Sequence, residues 1–370
     1  AEGPGLHQIP VGPVHAGIIE PGHFRFTANG ETVVRLEQRL GYVHKGIEKL
    51  AEGKTPAEAA RLIGRVSGDS TVAYAYAFAR AVEAALEIEV PPRAVWLRAL
   101  MAELERLANH FGDIGAICND AAFAFMLAEC GKLREQILQT ADACFSHRLM
   151  MDCIIPGGVA VDLPEDGGKR VLELAADLRR QFAPLITLYD NKASLLDRTV
   201  GTGVVSAGLA HRFGVGGFVG RASSRNVDAR RLTVCPPYDD LDFEVPVCAE
   251  GDVNARLWIR AREVEQSLSL IEQIVKRLPG MPRLAGHEAP KPFIDLPARG
   301  GEGMALIESF RGEVLVWVRL AEDGTVLRCH PRDPSWFQWP LLEAAIEGNI
   351  VADFPLCNKS FNCSYSGHDL

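Results

Sequence analysis

The cysteines are the residues best suited to hold a metal or carry out redox chemistry in this sequence. Nine are present, at positions 118, 130, 144, 153, 235, 248, 329, 357 and 363. No two of them show the two-residue gap that metal knuckles and dithiol redox motifs use. We therefore predict free, mostly buried thiols in a reducing compartment.

A glycine-rich segment at residues 214–220 (GVGGFVG) superficially suggests a dinucleotide-binding loop. Its third glycine lies one position late for the GxGxxG pattern, and no strand–loop–helix unit with a following acid surrounds it. We interpret this segment as a backbone bend. The motifs of α/β-hydrolases, zinc peptidases and phosphate-binding loops are also absent from the sequence.

The periodicity of apolar residues predicts that most of the chain is helical. A hairpin is expected around Asn29-Gly30, a helix begins at Thr55-Pro56, and the clearest helix runs from Pro92 to Ile117. Further helices are predicted at residues 120–151, 166–196, 254–278 and 340–347, and a hairpin at 303–320 and 324–329, before an irregular tail. The fold class is therefore mainly α. We expect one domain, 1–370, with a β-rich N-terminal part (9–40), a helical core (55–290) and an α/β C-terminal part (300–370).

Composition narrows the functional classes. The chain is 47% hydrophobic with a formal charge of −9, and no cluster of Lys and Arg suggests a nucleic-acid surface. No apolar run approaches the roughly 18 residues of a membrane span, and no signal peptide is visible. We expect a soluble globular chain that is able to dock on a membrane complex.

Several short strings occur in a fixed order along nearly the whole chain. They are GPVH (12–15), LGYVHKGIEK (40–49), RVSGDS (65–70), ELERLANH (103–110), RTVG (198–201), GRAS (220–223) and ESFRGE (308–313). Together they resemble the large subunit of energy-converting, membrane-bound nickel–iron hydrogenases and the quinone-chamber subunit of respiratory complex I. The resemblance implies a hydrogenase-large-subunit-like helical core, a bundle of long helices.

Four cysteines in two CxxC motifs hold the nickel–iron centre in those hydrogenases. The matching positions here are Ser67, Ser70, Ser364 and Gly367, and Cys363 lies one place from the third. Nickel and low-valent iron favour soft thiolates, whereas a serine hydroxyl stays protonated near neutral pH. We therefore expect no nickel–iron centre, no metal bound by this chain and no hydrogenase activity. Ser67 and Ser70, three residues apart, are expected to share a helix face, which would present hydroxyls instead of thiols.

The resemblance also assigns roles to four further residues. Glu20 matches the glutamate that passes protons to the hydrogenase site, and Arg311 matches the arginine that overhangs that site. The alternatives are a helix- or turn-capping role for Glu20 and a surface salt bridge for Arg311. The tyrosine that hydrogen-bonds quinone in complex I falls at Gly68. His15 is kept from the shared opening string and is expected to line the cavity. Burial of Glu20 in the cavity is expected to raise its pKa, against the influence of Arg311.

The resemblance implies a peripheral subunit on the cytoplasmic side of a membrane-bound oxidoreductase. Its partners would be an iron–sulfur small subunit and other complex I-like peripheral and membrane subunits. Electrons would arrive through the partner's iron–sulfur cluster, and quinone is the candidate ligand of the cavity. The assembled complex would carry out NADH:quinone-type electron transfer and would therefore bind NAD. The alternative is a scaffold or coupling subunit with no substrate or redox chemistry of its own.

Overall fold

Helices dominate the described part of the chain, and three small antiparallel sheets are attached to them. The structure, a computed structural model, describes residues 3–14, 19–232, 234–284 and 296–370. The α-helices are α1 (Ile47–Ala51), α2 (Pro56–Ile63), α3 (Thr71–Leu86), α4 (Pro92–Asp120), α5 (Ala124–Phe145), α6 (Gly167–Asp190), α7 (Ala193–Thr199), α8 (Ala207–Phe213), α9 (Gly217–Ala222), α10 (Ala229–Leu232), α11 (Val253–Arg277), α12 (Ser335–Ala345), α13 (Phe354–Phe361) and α14 (Tyr365–Asp369). Short 3-10 helices cover Gly68–Ser70, Tyr238–Asp240, Leu278–Gly280 and Val351–Asp353. The predicted mainly α fold class is confirmed.

The strands form three sheets in chain order. They are β1 (Leu6–Val11), β2 (His23–Asn29) and β3 (Thr32–Arg39) in the first sheet, β4 (Ile154–Ile155) and β5 (Gly158–Val159) in the second, and β6 (Gly301–Glu308), β7 (Glu313–Leu320) and β8 (Val326–Arg332) in the third. Each pairing between neighbouring strands is antiparallel. The β1–β3 and β6–β8 sheets therefore lie close to the two ends of the chain.

Helix α4 is the central element because nearly every turn of it is buried. Pro92 stands in its first turn, where its missing N–H costs no hydrogen bond. The helix packs against α5 and α11, its two most extensive helical neighbours. Charged side chains are buried on α4 as well as apolar ones, and each has an ionic or hydrogen-bonding partner: Arg98, for example, is held by Glu83 and by carbonyl groups of the β4–β5 hairpin.

Two groups of buried apolar residues form the interior. The larger lies among α3, α4, α5, α6, α11 and the β6–β8 sheet. The smaller joins the β1–β3 sheet to α8, α9, α12 and α13, with Phe24, Phe26 and Trp339 among its large side chains. The segment that ends at Val66 belongs to the first group, and Cys363 and Tyr365 belong to the second. The predicted site residues near these positions therefore lie where the two interiors meet.

The structure corrects several predicted boundaries. The stretch 303–320 is two strands, β6 and β7, joined by a turn at 309–312. The helix predicted at 166–196 breaks at Asn191 and Lys192 into α6 and α7, and the one predicted at 340–347 begins earlier, at Ser335. The tail expected to be irregular contains α13 and α14. Within the described ranges, no helix is both long enough and apolar enough to cross a membrane.

Candidate functional site

A polar cleft of about 270 Å³ opens where the N-terminal turn, the start of α3 and the C-terminal helices meet. Its walls are formed by residues 19–20, 67–69, 311, 358–359 and 362–366. The cleft therefore brings together Glu20, Ser67, Gly68, Arg311 and Ser364, all predicted as site residues. Ser70 and Gly367 are buried directly behind its surface. His15 falls outside the described residues.

The hydroxyls at three of the former thiol positions form one hydrogen-bonded group. Ser67 Oγ lies 2.8 Å from Ser364 Oγ, and the Ser67 and Ser70 hydroxyls donate to Asp69 Oδ1 over 2.9 and 3.1 Å. Asp69 is acceptor-only when ionised, so the proton of Ser67 is committed to it and Ser364 donates to Ser67. Ser364 Oγ in turn accepts the N–H of Gly367 at 2.8 Å, which caps α14. The hydroxyl chain is therefore directed towards Asp69.

Local structure explains how these serines face one another. Ser67 is extended and precedes the 3-10 helix Gly68–Ser70, which leads directly into α3. Ser67 and Ser70 do not share an α-helical face, so that expectation is wrong; both instead turn towards the carboxylate between them. Ser364 is the N-terminal cap of α14, and its own N–H donates to Ser335 Oγ at 2.9 Å.

Arg311 and Asp69 form a two-pronged ion pair in the wall of the cleft. Arg311 Nη1 lies 2.8 Å from Asp69 Oδ1, and Nη2 lies 2.5 Å from Oδ2. Arg311 is 2% exposed, whereas the Asp69 side chain keeps 33% of its surface exposed to the cleft. Burial alone would raise the pKa of Asp69, but Arg311 and the two serines outweigh it and hold the pKa below its ordinary value. Burial likewise opposes the charge of Arg311, yet Asp69 raises the Arg311 pKa above its ordinary value. Both groups are therefore charged at neutral pH.

The turn between β6 and β7 positions Arg311. The turn is closed by hydrogen bonds between Ser309 and Gly312, and Gln338 of α12 donates to the Arg311 carbonyl at 2.9 Å. The guanidinium Nε donates to the carbonyl of Asn362 at 2.5 Å. The side chain is thus fixed from both sides before any ligand is bound.

Glu20 stands at the mouth of the cleft rather than inside it. Its side chain is exposed, so the predicted burial is wrong. Its Oε2 accepts the N–H of Ser366 at 3.1 Å, which ties the N-terminal turn to the start of α14. This carboxylate therefore faces solvent while also lining the cleft.

The fourth thiol position is filled by a neighbouring acid. A Cβ placed on Gly367 would lie 2.3 Å from Asp333 Oδ2 and 2.9 Å from Ser364 Oγ. Asp333 is 1% exposed, accepts a 2.5 Å hydrogen bond from the Tyr74 hydroxyl and is also bonded to the Ser335 N–H. One ligand position has no room for a side chain, and the other three carry serine hydroxyls that are hydrogen-bonded to Asp69 or to one another. These residues therefore do not fit a nickel–iron centre.

Cys363 also lines the cleft, but as a neutral thiol. Its Sγ lies 3.8 Å from Gln338 Oε1, and burial raises the pKa of Cys363 well above its ordinary value. A protonated thiol is a poor nucleophile and a poor metal ligand. Among the described residues, no group of three or more His, Cys, Asp or Glu side chains is placed to hold a metal ion.

A buried carboxyl group lies on the far side of Asp69. Gly68 and Asp69 also form part of a second, narrow cleft whose wall includes Glu105 of α4. Glu105 accepts the N–H groups of Val72 and Ala73 at the start of α3, and Asn109 Nδ2 bridges the carbonyls of Asp69 and Glu105. Burial raises the pKa of Glu105 to about 8 in spite of these amide donors.

Sequence reasoning missed Asp69 and Asp333. Asp69 was visible as an acid flanked by both serines of the RVSGDS string, but its pairing with an arginine 242 positions away requires the folded chain. Asp333 has no signal in the sequence, because only its closeness to Gly367 shows that it occupies the space of a former ligand.

Comparison with known proteins agrees with this architecture. The sequence matches the family "Respiratory-chain NADH dehydrogenase, 49 Kd subunit" over residues 117–369, and the family "Nickel-dependent hydrogenase" over residues 45–112. It is 31% identical to the carbon monoxide-induced hydrogenase of Rhodospirillum rubrum over 360 residues, which cover 96% of this chain and 97% of that protein. It is 34% identical to an NADH-quinone oxidoreductase subunit of Roseiflexus sp. (strain RS-1), covering 94% of each chain.

A solved structure is similar over almost the whole fold. A chain from the membrane-bound sulfane sulfur reductase, described as an archaeal respiratory membrane complex, superposes with a TM-score of 0.89 at 26% identity, covering 99% of this chain and 98% of that one. The strings recognised in the sequence, the fold and these matches agree with one another. The chain belongs to the family of the 49 kDa subunit of respiratory-chain NADH dehydrogenase, which is related to the large subunits of nickel-dependent hydrogenases.

Proposed function

We propose that this chain is the cavity-forming subunit of a membrane-bound, complex I-like oxidoreductase, and that its cleft receives the headgroup of a quinone. The observation that carries the proposal is a polar cleft of about 270 Å³, lined by residues that the resemblance matches to the metal-binding positions of the hydrogenases. Ligand pockets usually measure about 300–1,000 Å³. The cleft lies just below this range, so it suits one ring-sized headgroup whose tail would extend out of the opening.

The cleft carries the groups that such a headgroup needs. Arg311 offers the free N–H of Nη2 to a carbonyl oxygen, and the Ser364 hydroxyl, which otherwise donates to Ser67, can rotate to donate to a second one. Glu20 at the mouth is placed to supply or remove protons. Proton transfer by a positioned carboxyl group contributes typically 10²–10⁴-fold to a reaction rate. This chain would thus bind and protonate the acceptor.

Electrons would come from an iron–sulfur cluster in a partner subunit. The cysteines of this chain are dispersed, and burial raises the pKa of Cys118, Cys130 and Cys329 to about 12, so they stay protonated. NAD would be bound elsewhere in the complex, because residues 214–216 form a short turn between α8 and α9 and residues 217–220 begin α9, without a preceding strand. We place the chain on the cytoplasmic side of the membrane, beside complex I-like peripheral and membrane subunits.

Calorimetric titration of the full chain with duroquinone, a tail-less quinone that cannot alkylate thiols, tests the proposal. Ser364→Ala should weaken binding roughly three- to tenfold, the usual value of one hydrogen bond. Ser194→Ala, which changes an exposed serine of α7, should bind as the unaltered chain does. Absence of duroquinone binding, with and without the small subunit, would leave the scaffold interpretation.

A further inference from the structure

The guanidinium of Arg311 is almost fully engaged within the protein. Its Nε donates to the Asn362 carbonyl, Nη1 donates to Asp69 Oδ1 and to Ser70 Oγ at 3.0 Å, and Nη2 donates to Asp69 Oδ2. A guanidinium carries five N–H groups, so one of them, on Nη2, is left for a ligand. Because a carboxylate or phosphate is normally bound by two parallel N–H groups, this arginine cannot offer the usual anion-binding fork.

The charge of Arg311 is also balanced before a ligand enters. Asp69 neutralises it directly, and Asp333 and Asp113 lie close enough to raise its pKa further. Arg260, a second buried cation in this region, is paired with Asp113 at 3.0 Å. Arg256, a third, donates to Ser360 Oγ and to two backbone carbonyls rather than to a carboxylate. The charges of Arg311 and Arg260 are therefore compensated before a ligand enters.

The charged groups at the rim do not reverse this balance. Glu20 places a carboxylate at the mouth, and the nearby Lys45 donates to the Val66 carbonyl at 2.8 Å. Lys359, the other cation in the walls, favours the ionised form of Asp120. An approaching anion would therefore meet lysines that lie near carboxylates: Lys45 near Glu20 and Asp369, and Lys359 near Asp120.

We propose that Asp69 makes the cleft selective for an uncharged acceptor over an anion, by taking up the charge of Arg311 and two of its N–H groups. This inference rests on the proposed function, since it names the charge class of the ligand of the same cleft. A neutral carbonyl oxygen needs a single donor, which the free N–H of Nη2 supplies. An anion would have to displace Asp69, which is also held by Ser67 and Ser70.

Two probes of similar ring size separate charge from shape. Duroquinone is neutral, and benzoate is ionised at about pH 7 because its carboxyl group titrates near the ordinary range of carboxylic acids. Both are titrated calorimetrically into the full chain and into two variants, Asp69→Asn and Asp69→Ser. The second variant introduces a hydroxyl like those of Ser67 and Ser70. Thermal unfolding confirms that each variant is folded, and either variant suffices for the comparison.

Asp152→Asn is the matched control, since Asp152 forms a two-pronged pair with Arg65 that is exposed and outside the cleft. We expect benzoate to bind the Asp69 variants at least tenfold more tightly than the unaltered chain, with a less than threefold change for duroquinone, and no change in Asp152→Asn. Benzoate binding to the unaltered chain as tightly as to the Asp69 variants would overturn the inference. If benzoate gains affinity in the variants but duroquinone binds none of the proteins, the assignment of Asp69 stands and the proposed quinone function fails.

Discussion

The hydroxyls of Ser67 and Ser364 lie 2.8 Å apart although 297 residues separate them in the chain. In the hydrogenases that this sequence resembles, a metal centre joins these two positions. Here a hydrogen bond joins them directly, and Asp69 completes the group. The space between the segment before α3 and the start of α14 is thus a polar cleft supported by hydrogen bonds.

The first prediction concerns metal content. Nickel should be absent from the purified chain, because hydroxyl and glycine positions replace the four soft ligands that nickel requires. Elemental analysis of the full chain, expressed with nickel in the medium, checks this. A value near one nickel per chain would contradict our assignment of the ligand positions.

The second prediction compares two glycines of the site. Gly367→Ala should destabilise the protein by about 1–3 kcal/mol, the usual cost of overpacking, because the new methyl group would collide with Asp333. Gly68→Ala is the control, since nothing lies within 4 Å of a Cβ at that position, and it should change stability by less than about 0.5 kcal/mol. If urea unfolding shows the same loss of stability for both variants, the Asp333 side chain moves aside at little cost.

The third prediction concerns the dependence of stability on pH. The pKa of Glu105 is raised from 4.5 to about 8, so the folded state holds a proton that the unfolded state has lost between these values. Its stabilising contribution is full below about pH 4.5 and is lost as pH rises through 8, by at most about 1.4 kcal/mol per pH unit. Glu308, raised to about 8 as well, acts in the same direction.

Glu105→Gln should therefore flatten this dependence, since an amide does not titrate. The free energy of unfolding is measured in urea at about pH 5 and pH 8 for the unaltered chain, for this variant and for Glu89→Gln, an exposed control. A slope in Glu105→Gln as steep as in the control would mean that Glu105 is already ionised at pH 5.

The fourth prediction concerns proton transfer at the mouth of the cleft. Glu20→Gln should leave the fold unchanged, because the amide oxygen still accepts the Ser366 N–H. Proton-coupled turnover of the assembled complex in vesicles should fall roughly tenfold or more. Glu31→Gln, an exposed acid next to the β2–β3 turn, is the control. Unchanged coupling in Glu20→Gln would reduce Glu20 to a structural residue.

Local signals predicted the parts of the fold whose causes are local. Helix α2 begins where the Thr55 cap and Pro56 were recognised, and Glu58 completes a capping box with Thr55. The break between β6 and β7 was missed because apolar residues continue on both sides of it. The short helices α13 and α14 were missed because their stability comes from packing against α4, α11 and α12 rather than from a long periodic pattern.

The sequence predicted which residues meet in the cleft, but not how the charge of Arg311 is balanced there. Family strings located Ser67, Arg311 and Ser364, and the structure brings them together. Which acid neutralises the arginine depends on a contact between the start of α3 and the β6–β7 turn, and no spacing along the chain encodes that contact. The exposure of Glu20 is likewise decided by how the N-terminal turn lies on α14.

The segment that we interpreted as a simple bend governs the cleft from outside. A Cβ on Gly217 would lie 1.9 Å from the Arg311 carbonyl oxygen, so two backbones meet there without side chains between them. Any larger residue at position 217 would push the turn, and the arginine with it, away from Asp69. Comparisons of related proteins that consider cleft-lining positions alone would overlook this residue, although a substitution there would alter the ligand preference of the cleft.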